Sequence, residues 1–243
     1  MLKGLLAMVF ELVPILNKMR ELYRLPRDLN RFEEFLNTLV ESSDSDIQIP
    51  IIGYNPMAKE HILDRLQELI SMNAEKTASE ALVKLNKKYI SVHSDQKFQV
   101  FIILSDDMSG HWPDRNSSDY DSRFRVRPLI KRHFCTPFFW CSEKFDSDMI
   151  QTRITEYAER TYYLFDHPDP ETLEEHIQME ESISAGRNSR LNEILQGTSR
   201  IQGIYEAHRK STEKSVIFNF LYGDEAASRM GYEIMNLNEG ILD

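Results

Sequence analysis

The sequence predicts a helix-rich α/β fold in a single globular domain, with a small, mostly parallel or mixed sheet of three or four strands packed by long helices. Three observations lead to this fold class. Residues 98–104 (FQVFIIL) form an almost wholly apolar run, as in strands that are buried on both faces of a parallel sheet. Long segments before and after this run carry apolar residues every three or four positions, which indicates amphipathic helices. Only 9 of the 243 residues are glycine, which also favours helix.

Residues 1–41 are predicted to form an N-terminal helical hairpin. Apolar residues recur at helical spacing from Leu2 to Leu25, Pro26 ends this first helix, and Asp28 caps the second. The apolar run near the N-terminus stops at Glu11, and no cleavage motif of small residues follows it. We therefore expect a first helix here rather than a signal peptide.

Residues 47–165 are predicted to form the α/β core. Strands are expected at residues 47–53, 98–104 and 136–140, and Pro50 places the first of them at a sheet edge. A long helical stretch over residues 57–89, with a bend near residues 71–73, separates the first two strands. Residues 123–127 (RFRVR) alternate between arginine and apolar residues, which predicts a further, half-exposed strand. Strand–helix–strand order implies right-handed connections and parallel strands.

Residues 166–243 are predicted to be C-terminal helices. Ser147 caps the helix that leads into this region, and Asp169 caps the next, which ends near residues 185–186. Further helices are expected at residues 189–195, 199–208 and 213–222, with Gly223 ending the last of these. The sequence has no internal repeat, and no linker rich in proline, glycine or serine divides it.

Charge and cysteine content exclude several classes of protein. The chain has 39 acidic and 29 basic residues and a net charge of −10, so no overall positive field attracts nucleic acid or anionic membranes. Two cysteines, Cys135 and Cys141, are too few for a disulfide scaffold and are expected to be buried thiols. No apolar stretch is long enough to span a bilayer. A cytoplasmic protein that binds neither nucleic acid nor membrane is therefore expected.

Acidic residues at one edge of the predicted sheet form the candidate catalytic and metal site. If the three predicted strands are parallel, then Asn55, Asp106, Asp107 and Glu143 emerge at the edge where open α/β sheets bind ligands. Asp106 and Asp107 are expected to hold Mg²⁺ or Mn²⁺ or to act as a general base, assisted by His111. The alternative is that these aspartates only cap helices and solubilise a turn.

A cluster of basic residues follows this acidic loop. Residues 123–133 contain Arg123, Arg125 and Arg127 together with two further cations and a histidine, and no acid. Arginine pairs bidentately with phosphate and carboxylate groups, so we predict that these arginines, with Arg115, Asn55 and Glu143, bind an anionic ligand. The alternative is neutralisation by the neighbouring aspartates.

Two functions remain open from the sequence alone, and so does the question of whether the chain is an enzyme. The first is binding of a small phosphate- or carboxylate-bearing molecule, with a divalent metal, at the loop edge of the sheet. The second is a noncatalytic interaction or regulatory module, in which the arginines and the acidic helix at residues 171–181 dock an acidic protein partner or pair within a homodimer. On that acidic helix, His176 and Glu180 have metal-ligand spacing, but a solvated acidic face is favoured because no second histidine follows. Dinucleotide-binding, P-loop, nucleophile-elbow and CxxC motifs do not occur.

Overall fold

The strands form a small parallel sheet at the centre of the molecule. The computed structural model describes residues 8–40, 46–58, 60–89, 96–108, 114–183, 191–192, 194 and 200–242. Within these ranges the strands are β1 (Met8–Leu12), β2 (Gln96–Val100), β3 (Ile103–Ser105), β4 (Phe134–Cys135) and β5 (Phe138–Trp140). Their order is β1-β2-β4 in one ladder and β3-β5 in the other, and every pair is parallel.

The two ladders are joined through the backbone. Phe101 N donates to Cys135 O at 2.9 Å, and Ile103 N donates to Pro137 O at 2.9 Å. Residues 99–105 and 134–140 therefore run side by side as one parallel pair. Phe101 and Ile102, between β2 and β3, are fully buried. The predicted central strand and the helix-rich α/β class, in a single compact domain, are confirmed.

Helices surround this sheet. Those with defined bounds are, in chain order, α1 (Leu16–Arg24), α2 (Leu29–Val40), α3 (Glu60–Ser71), α4 (Ala74–Tyr89), α5 (Arg115–Phe124), α6 (Arg127–Ile130), α7 (Ser147–Asp166), α8 (Leu173–Ser182), α9 (Arg200–His208) and α10 (Lys214–Arg229). Helix α4 packs against β1 and α7, α3 packs against α1 and β3, and α7 packs against β4. No helix in the described part of the chain is long and apolar enough to cross a bilayer.

The long helix predicted over residues 57–89 is two helices. The chain breaks between α3 and α4 at Asn73, which has a positive φ of 55°, within the region where a bend was predicted. Asparagine tolerates this left-handed conformation better than most residues, because its short polar side chain bonds locally. The break turns α4 so that it lies along β1 and α7.

The helix predicted from residue 2 is wrong at Met8–Leu12, which form strand β1. Phe10 pairs with Phe98 and is buried, whereas Val9 and Glu11 on either side are not. On the outer edge of β1 the Phe10 backbone is also hydrogen-bonded: Phe10 N donates to Asn86 Oδ1 of α4, and Asn86 Nδ2 donates to Phe10 O, both at 2.9 Å. Short apolar runs fit helical and strand spacing equally well, and here pairing with β2 decides between them. The helical part of the predicted hairpin begins only at α1.

Two other predicted strands are also wrong. Residues 47–53 are irregular, because Pro50 has no N–H and the backbone N–H groups of Gln48 and Ile49 donate to Leu39 O of α2 instead of to a strand. Residues 123 and 124 end α5, residues 125 and 126 connect the two helices, and Arg127 starts α6. The Asp114 carboxylate starts α5 by accepting Asn116 N at 2.9 Å and Ser117 N at 3.2 Å, so the first two of the alternating residues are helical.

Several predicted helix ends are confirmed or shifted by a few residues. The Asp28 carboxylate caps α2, as predicted. Asp146 rather than Ser147 caps α7, and Thr172 with Glu175 forms a capping box at the start of α8. Helix α9 lies where a helix was predicted at residues 199–208, whereas residues 185–186 and most of 189–195 lie outside the described residues. Gly223 interrupts α10 where the helix was predicted to end, and the helix resumes after it.

Candidate functional site

A pocket of about 480 Å³ lies at the carboxyl ends of β3 and β5. Ser105 ends β3 and Trp140 ends β5, and these two residues are partners in the parallel register. The pocket walls include four residues that the sequence placed in a ligand site: Asn55, Asp106, Asp107 and Arg115. This is the sheet edge where open α/β folds bind ligands.

Asn55 reaches this pocket on an irregular segment that a buried arginine holds in place. Arg31 of α2 is 4% exposed and donates to Pro56 O at 3.0 Å and Ala58 O at 3.3 Å. Asn55 N donates to the Tyr23 hydroxyl at 3.2 Å. Buried guanidinium groups need such carbonyl partners. Asn55 therefore lies at the predicted edge of the sheet, although the strand predicted at residues 47–53 does not form.

Asp106 contacts a histidine that the sequence analysis did not single out. The Asp106 side chain is fully buried, and its Oδ1 lies 2.8 Å from His61 Nε2 in the first turn of α3. Met108 N donates to the same oxygen at 3.1 Å, and Asn55 Nδ2 donates to Oδ2 at 3.4 Å. Cys141, directly after β5, completes a group in which one ligand atom from each of His61, Asp106 and Cys141 lies within 4.8 Å of the others.

Asp107 points to different partners from Asp106. Ser142 donates to the Asp107 carboxylate through its N at 2.9 Å and through its Oγ at 2.5 Å, and Arg115 Nη1 donates at 3.4 Å. Neighbouring side chains along an extended backbone point in opposite directions, which separates the two carboxylates. In the described ranges, the group of three potential metal ligands therefore contains Asp106 but not Asp107.

Glu143 is enclosed by arginines. Its Oε1 accepts Arg115 Nη2 at 2.8 Å and Arg153 Nη2 at 2.9 Å, and its Oε2 accepts Arg153 Nη1 at 3.0 Å. Trp140 N also donates to Oε2, at 3.0 Å. Because these bonds include a bidentate pair with Arg153, the Glu143 carboxylate is firmly positioned. Glu143 thus fixes Arg153 and also accepts a hydrogen bond from the more exposed Arg115.

A second cavity of about 400 Å³ shares Arg115 with the first. We call it the arginine pocket, and define it by Arg115, Arg123, Arg153 and Arg229, with the acids Asp119 and Glu143. Tyr222 and Leu242 form part of its wall. Burial alone would raise the pKa of Asp119, but Arg123 at 2.6 Å and the Tyr222 hydroxyl at 2.9 Å hold this pKa below its usual value. The pocket therefore holds four guanidinium groups against two carboxylates among its described lining residues.

Comparisons with protein-family models, curated proteins and solved structures find no match for this chain. The function is therefore argued from the chemistry of these two cavities.

The arginines predicted as one row are separated in the structure. Arg123 is buried and lines the arginine pocket, whereas Arg125 is exposed and lies 3.4 Å from Asp121. Arg127 bonds Asp169 at 2.9 Å and two carbonyl groups near the end of α7. Arg123 and Arg125 thus pair with the neighbouring aspartates Asp119 and Asp121, as the alternative expected, whereas Arg127 pairs with the distant Asp169. His111 lies outside the described residues.

Both cysteines are buried, as predicted, and neither environment activates the thiol. Burial raises the pKa of Cys135 to about 12. Burial also raises the pKa of Cys141, and the carboxylates of Asp106 and Asp107 raise it further. Because the thiolate is the nucleophile, neither side chain is a reactive thiol at neutral pH.

Sequence reasoning missed several residues of the candidate site, among them His61 and Cys141 beside Asp106, and Arg153 and Arg229 in the arginine pocket. His61 lies in an ordinary amphipathic helix, and Arg153 and Arg229 lie within helices α7 and α10, far along the chain from Arg115. The one sequence signal for His61 is that it closely follows Asn55. No spacing rule connects Arg153 or Arg229 to Glu143 or Arg115.

His176 and Glu180 were expected to lie on a solvated acidic face. This is wrong, because both side chains are buried. His176 Nδ1 lies 2.8 Å from Thr172 O and Nε2 lies 3.2 Å from the Tyr120 hydroxyl, which satisfies a neutral imidazole. Glu180 pairs with Arg160 instead of a metal. Burial lowers the pKa of His176.

His176 is expected to make the protein less stable in mild acid. The unfolded chain takes up a proton on this residue near pH 6.5, whereas the folded chain does so only at lower pH, so the free energy of unfolding falls from about pH 7 to pH 5. His176→Gln should reduce this fall, and the exposed His167→Gln should not. Urea unfolding across this range measures both, and equal pH slopes for His176→Gln and the wild type would contradict the assignment.

Proposed function

We propose that this protein binds a small anionic molecule carrying a phosphate or carboxylate group. Its charged group would lie in the arginine pocket, and the rest would extend past Arg115 into the pocket at the ends of β3 and β5. The observation that supports this most strongly is the gathering of four arginines around one cavity in a chain with a net charge of −10. Planar guanidinium groups bind such anions bidentately.

The arginines divide into fixed and adjustable groups. Arg123 and Arg153 are held by Asp119, Glu143 and the Phe138 carbonyl, so they are already oriented before a ligand binds. The side chains of Arg115 and Arg229 are 42% and 50% exposed, so they can turn towards an entering anion. Fixed and adjustable groups together give orientation at a small entropic cost.

The pocket at the ends of β3 and β5 adds carboxylate groups to the proposed site. The described charged residues of its wall are two aspartates, Asp106 and Asp107, and one arginine, Arg115, so this wall carries a net negative charge. An anion that extends into the pocket is therefore better accommodated with a divalent cation beside Asp106. In this proposal Asp106 is also the candidate general base. A cytoplasmic location fits this proposal, because both cysteines are free thiols.

An interaction module remains the second candidate, supported by one surface. Leu29, Phe32 and Leu36 are exposed on α2, and Leu29 is 79% exposed. A row of exposed apolar side chains on one helix is typical of a protein contact. The docking surfaces predicted from the sequence support this candidate less, because Arg127 pairs with Asp169 and Glu174 pairs with Arg209 within the same chain.

Ligand-dependent thermal unfolding tests the proposal. We expect inorganic phosphate, citrate or a nucleotide to stabilise the wild type by about 2.7 kcal/mol at 100 times its dissociation constant. Arg229→Gln should remove most of this shift, because Arg229 lines the pocket from the surface. Arg125→Gln is the matched control, since Arg125 is an exposed arginine outside the pocket. Absence of any shift, or an equal loss in both variants, would contradict anion binding. A wild-type dimer that dissociates on Phe32→Glu would favour the interaction module.

A further inference from the structure

His61, Asp106 and Cys141 form a group that is separate from the arginine pocket. They come from three elements: the first turn of α3, the residue after β3 and the residue after β5. We propose that these three side chains bind a zinc ion. This inference does not depend on anion binding, because it uses none of the four arginines.

The geometry of the group is close to that of a zinc site. Its ligand atoms lie within 4.8 Å of one another. Zinc bonds of about 2.0 Å to nitrogen or oxygen and about 2.3 Å to sulfur place tetrahedral ligand atoms about 3.3–3.6 Å apart. The His61 Nε2–Asp106 Oδ1 separation of 2.8 Å would open by about half an ångström, and the sulfur would move closer. Changes of this size need only small side-chain rotations.

The backbone around the three residues is well positioned. Cys141 N donates to Ser105 O at 3.1 Å, which fixes Cys141 beside the end of β3. Asn55 Nδ2 and Met108 N both donate to the Asp106 carboxylate, which orients it. Hydrogen bonds of this kind orient a ligating carboxylate and adjust how strongly it binds a metal. The ligand set is therefore held by the sheet edge itself.

The types of ligand decide which cation is expected. Mg²⁺ and Mn²⁺ prefer oxygen ligands, whereas zinc is bound by thiolate, imidazole and carboxylate together. The structure offers one sulfur, one nitrogen and one oxygen ligand, and Asp107 is turned away towards Ser142. Zinc is thus favoured over the Mg²⁺ or Mn²⁺ that the paired aspartates suggested. Three protein ligands leave a fourth position open, as in catalytic zinc sites.

A cysteine–histidine–aspartate arrangement also occurs in enzymes with a nucleophilic thiol. In such enzymes the sulfur must reach the substrate. Cys141 is only 2% exposed, so an electrophile has little access to it. A metal ion needs far less space, and the His61 side chain, 25% exposed, leaves it a path from solvent.

Metal titration of the full chain tests the proposal. After treatment with EDTA, the protein should bind one equivalent of Zn²⁺ in competition with a chromophoric chelator. Co²⁺ should produce a thiolate-to-metal charge-transfer band in the near ultraviolet. Cys141→Ser and Asp106→Asn should weaken Zn²⁺ binding by at least about 100-fold, and Cys141→Ser should abolish the cobalt band. Cys135→Ser and Asp107→Asn are the matched controls and should keep both properties.

Three results would overturn the proposal. These are a wild type that gives no cobalt–thiolate band, a band that persists in Cys141→Ser, and Mg²⁺ or Mn²⁺ binding that is lost in Asp107→Asn without any preference for zinc. If the buried variants fail to fold, the wild-type cobalt spectrum and zinc stoichiometry still decide. The titration contains no phosphate, so its failure leaves the anion-binding proposal standing, and the reverse also holds.

Discussion

Glu180→Gln is expected to lower the free energy of unfolding by about 3–5 kcal/mol, because it takes from a buried arginine its bidentate counter-ion. Arg160 of α7 and Glu180 of α8 are 2% and 7% exposed, and they form a bidentate pair with N–O distances of 2.8 Å and 2.6 Å. Glutamine keeps the shape of the side chain but removes its charge. The loss would be measured by urea unfolding at neutral pH.

A double variant separates the pair from the individual charges. Arg160→Met with Glu180→Leu removes both charges and fills similar volume, so it should be clearly more stable than Glu180→Gln alone. Arg125→Gln is the control for an exposed pair, because Arg125 and Asp121 are largely exposed, and it should cost less than about 1 kcal/mol. If Glu180→Gln costs no more than Arg125→Gln, the buried pair does not stabilise α7 and α8 as described.

The Arg160–Glu180 pair also connects to the arginine pocket. Arg160 and Arg123 lie 3.7 Å and 3.6 Å from the same Glu156 oxygen, and Arg123 pairs with Asp119 in the pocket wall. A continuous set of buried and partly buried charges therefore links α8 to the proposed anion site. In such a network, removing one charge changes the strength of the hydrogen bonds and ion pairs that its neighbours make. Loss of Glu180 is accordingly expected to weaken phosphate binding as well as stability.

Gly223→Ala is the second substitution with a large expected effect. Gly223 interrupts α10 with φ 73° and ψ 177°, a conformation that is essentially restricted to glycine. A Cβ atom there would lie 2.4 Å from Asn238 O and 2.8 Å from Gly240 N, both backbone atoms of the C-terminal segment. The strain and this overlap together should cost about 3 kcal/mol or more. Thermal or urea unfolding measures the loss.

The same substitution should disturb the arginine pocket. Residues 235–242 are hydrogen-bonded to the α10 backbone on both sides of Gly223. Asp224 N donates to Asn238 O at 3.0 Å, and Leu242 N donates to Leu221 O at 2.9 Å. Leu242 and Tyr222 both line the pocket. Displacement of this segment therefore opens one wall of the site. We expect Gly223→Ala to weaken phosphate binding.

Gly203→Ala is the matched control for Gly223→Ala. Gly203 lies in α9, and a Cβ atom there would meet no atom of the described residues outside its own helix backbone within 4 Å. Alanine is the better helix former by about 0.8–1 kcal/mol, so Gly203→Ala should stabilise the protein slightly. If Gly223→Ala and Gly203→Ala change stability by similar amounts, the backbone approach at Gly223 is not as tight as the structure indicates.

The central strand and the location of the pocket were predictable from the sequence, and β1 was not. Residues 98–104 are apolar over a length that suits a buried strand, and their end directs Asp106 and Asp107 to the ligand-binding edge. Residues 8–12 form a strand only because distant residues 96–100 pair with them. Short apolar segments carry no information about such a partner.

The candidate site was predictable in part: Asn55, Asp106, Asp107 and Arg115 line the pocket as expected, but the contacts between its side chains were not predictable. His61 and Cys141 meet Asp106 through the packing of α3 on β3 and the pairing of β5 with β3, which sequence spacing does not encode. Alternation at residues 123–127 was misleading, because five residues are too few to distinguish a strand from the end of a helix capped several residues earlier. In that helix Arg123 points inward, whereas Arg125, at its end, is exposed.

One crystal structure of the full chain grown with zinc and inorganic phosphate, with diffraction recorded at the zinc absorption edge, tests the account most directly. The account predicts an anomalous peak about 2.0–2.3 Å from ligand atoms of His61, Asp106 and Cys141. It also predicts phosphate in contact with Arg115 and Arg229. Zinc bound elsewhere on the surface, together with an arginine pocket that holds only water at saturating phosphate, would contradict a functional site at the carboxyl ends of β3 and β5.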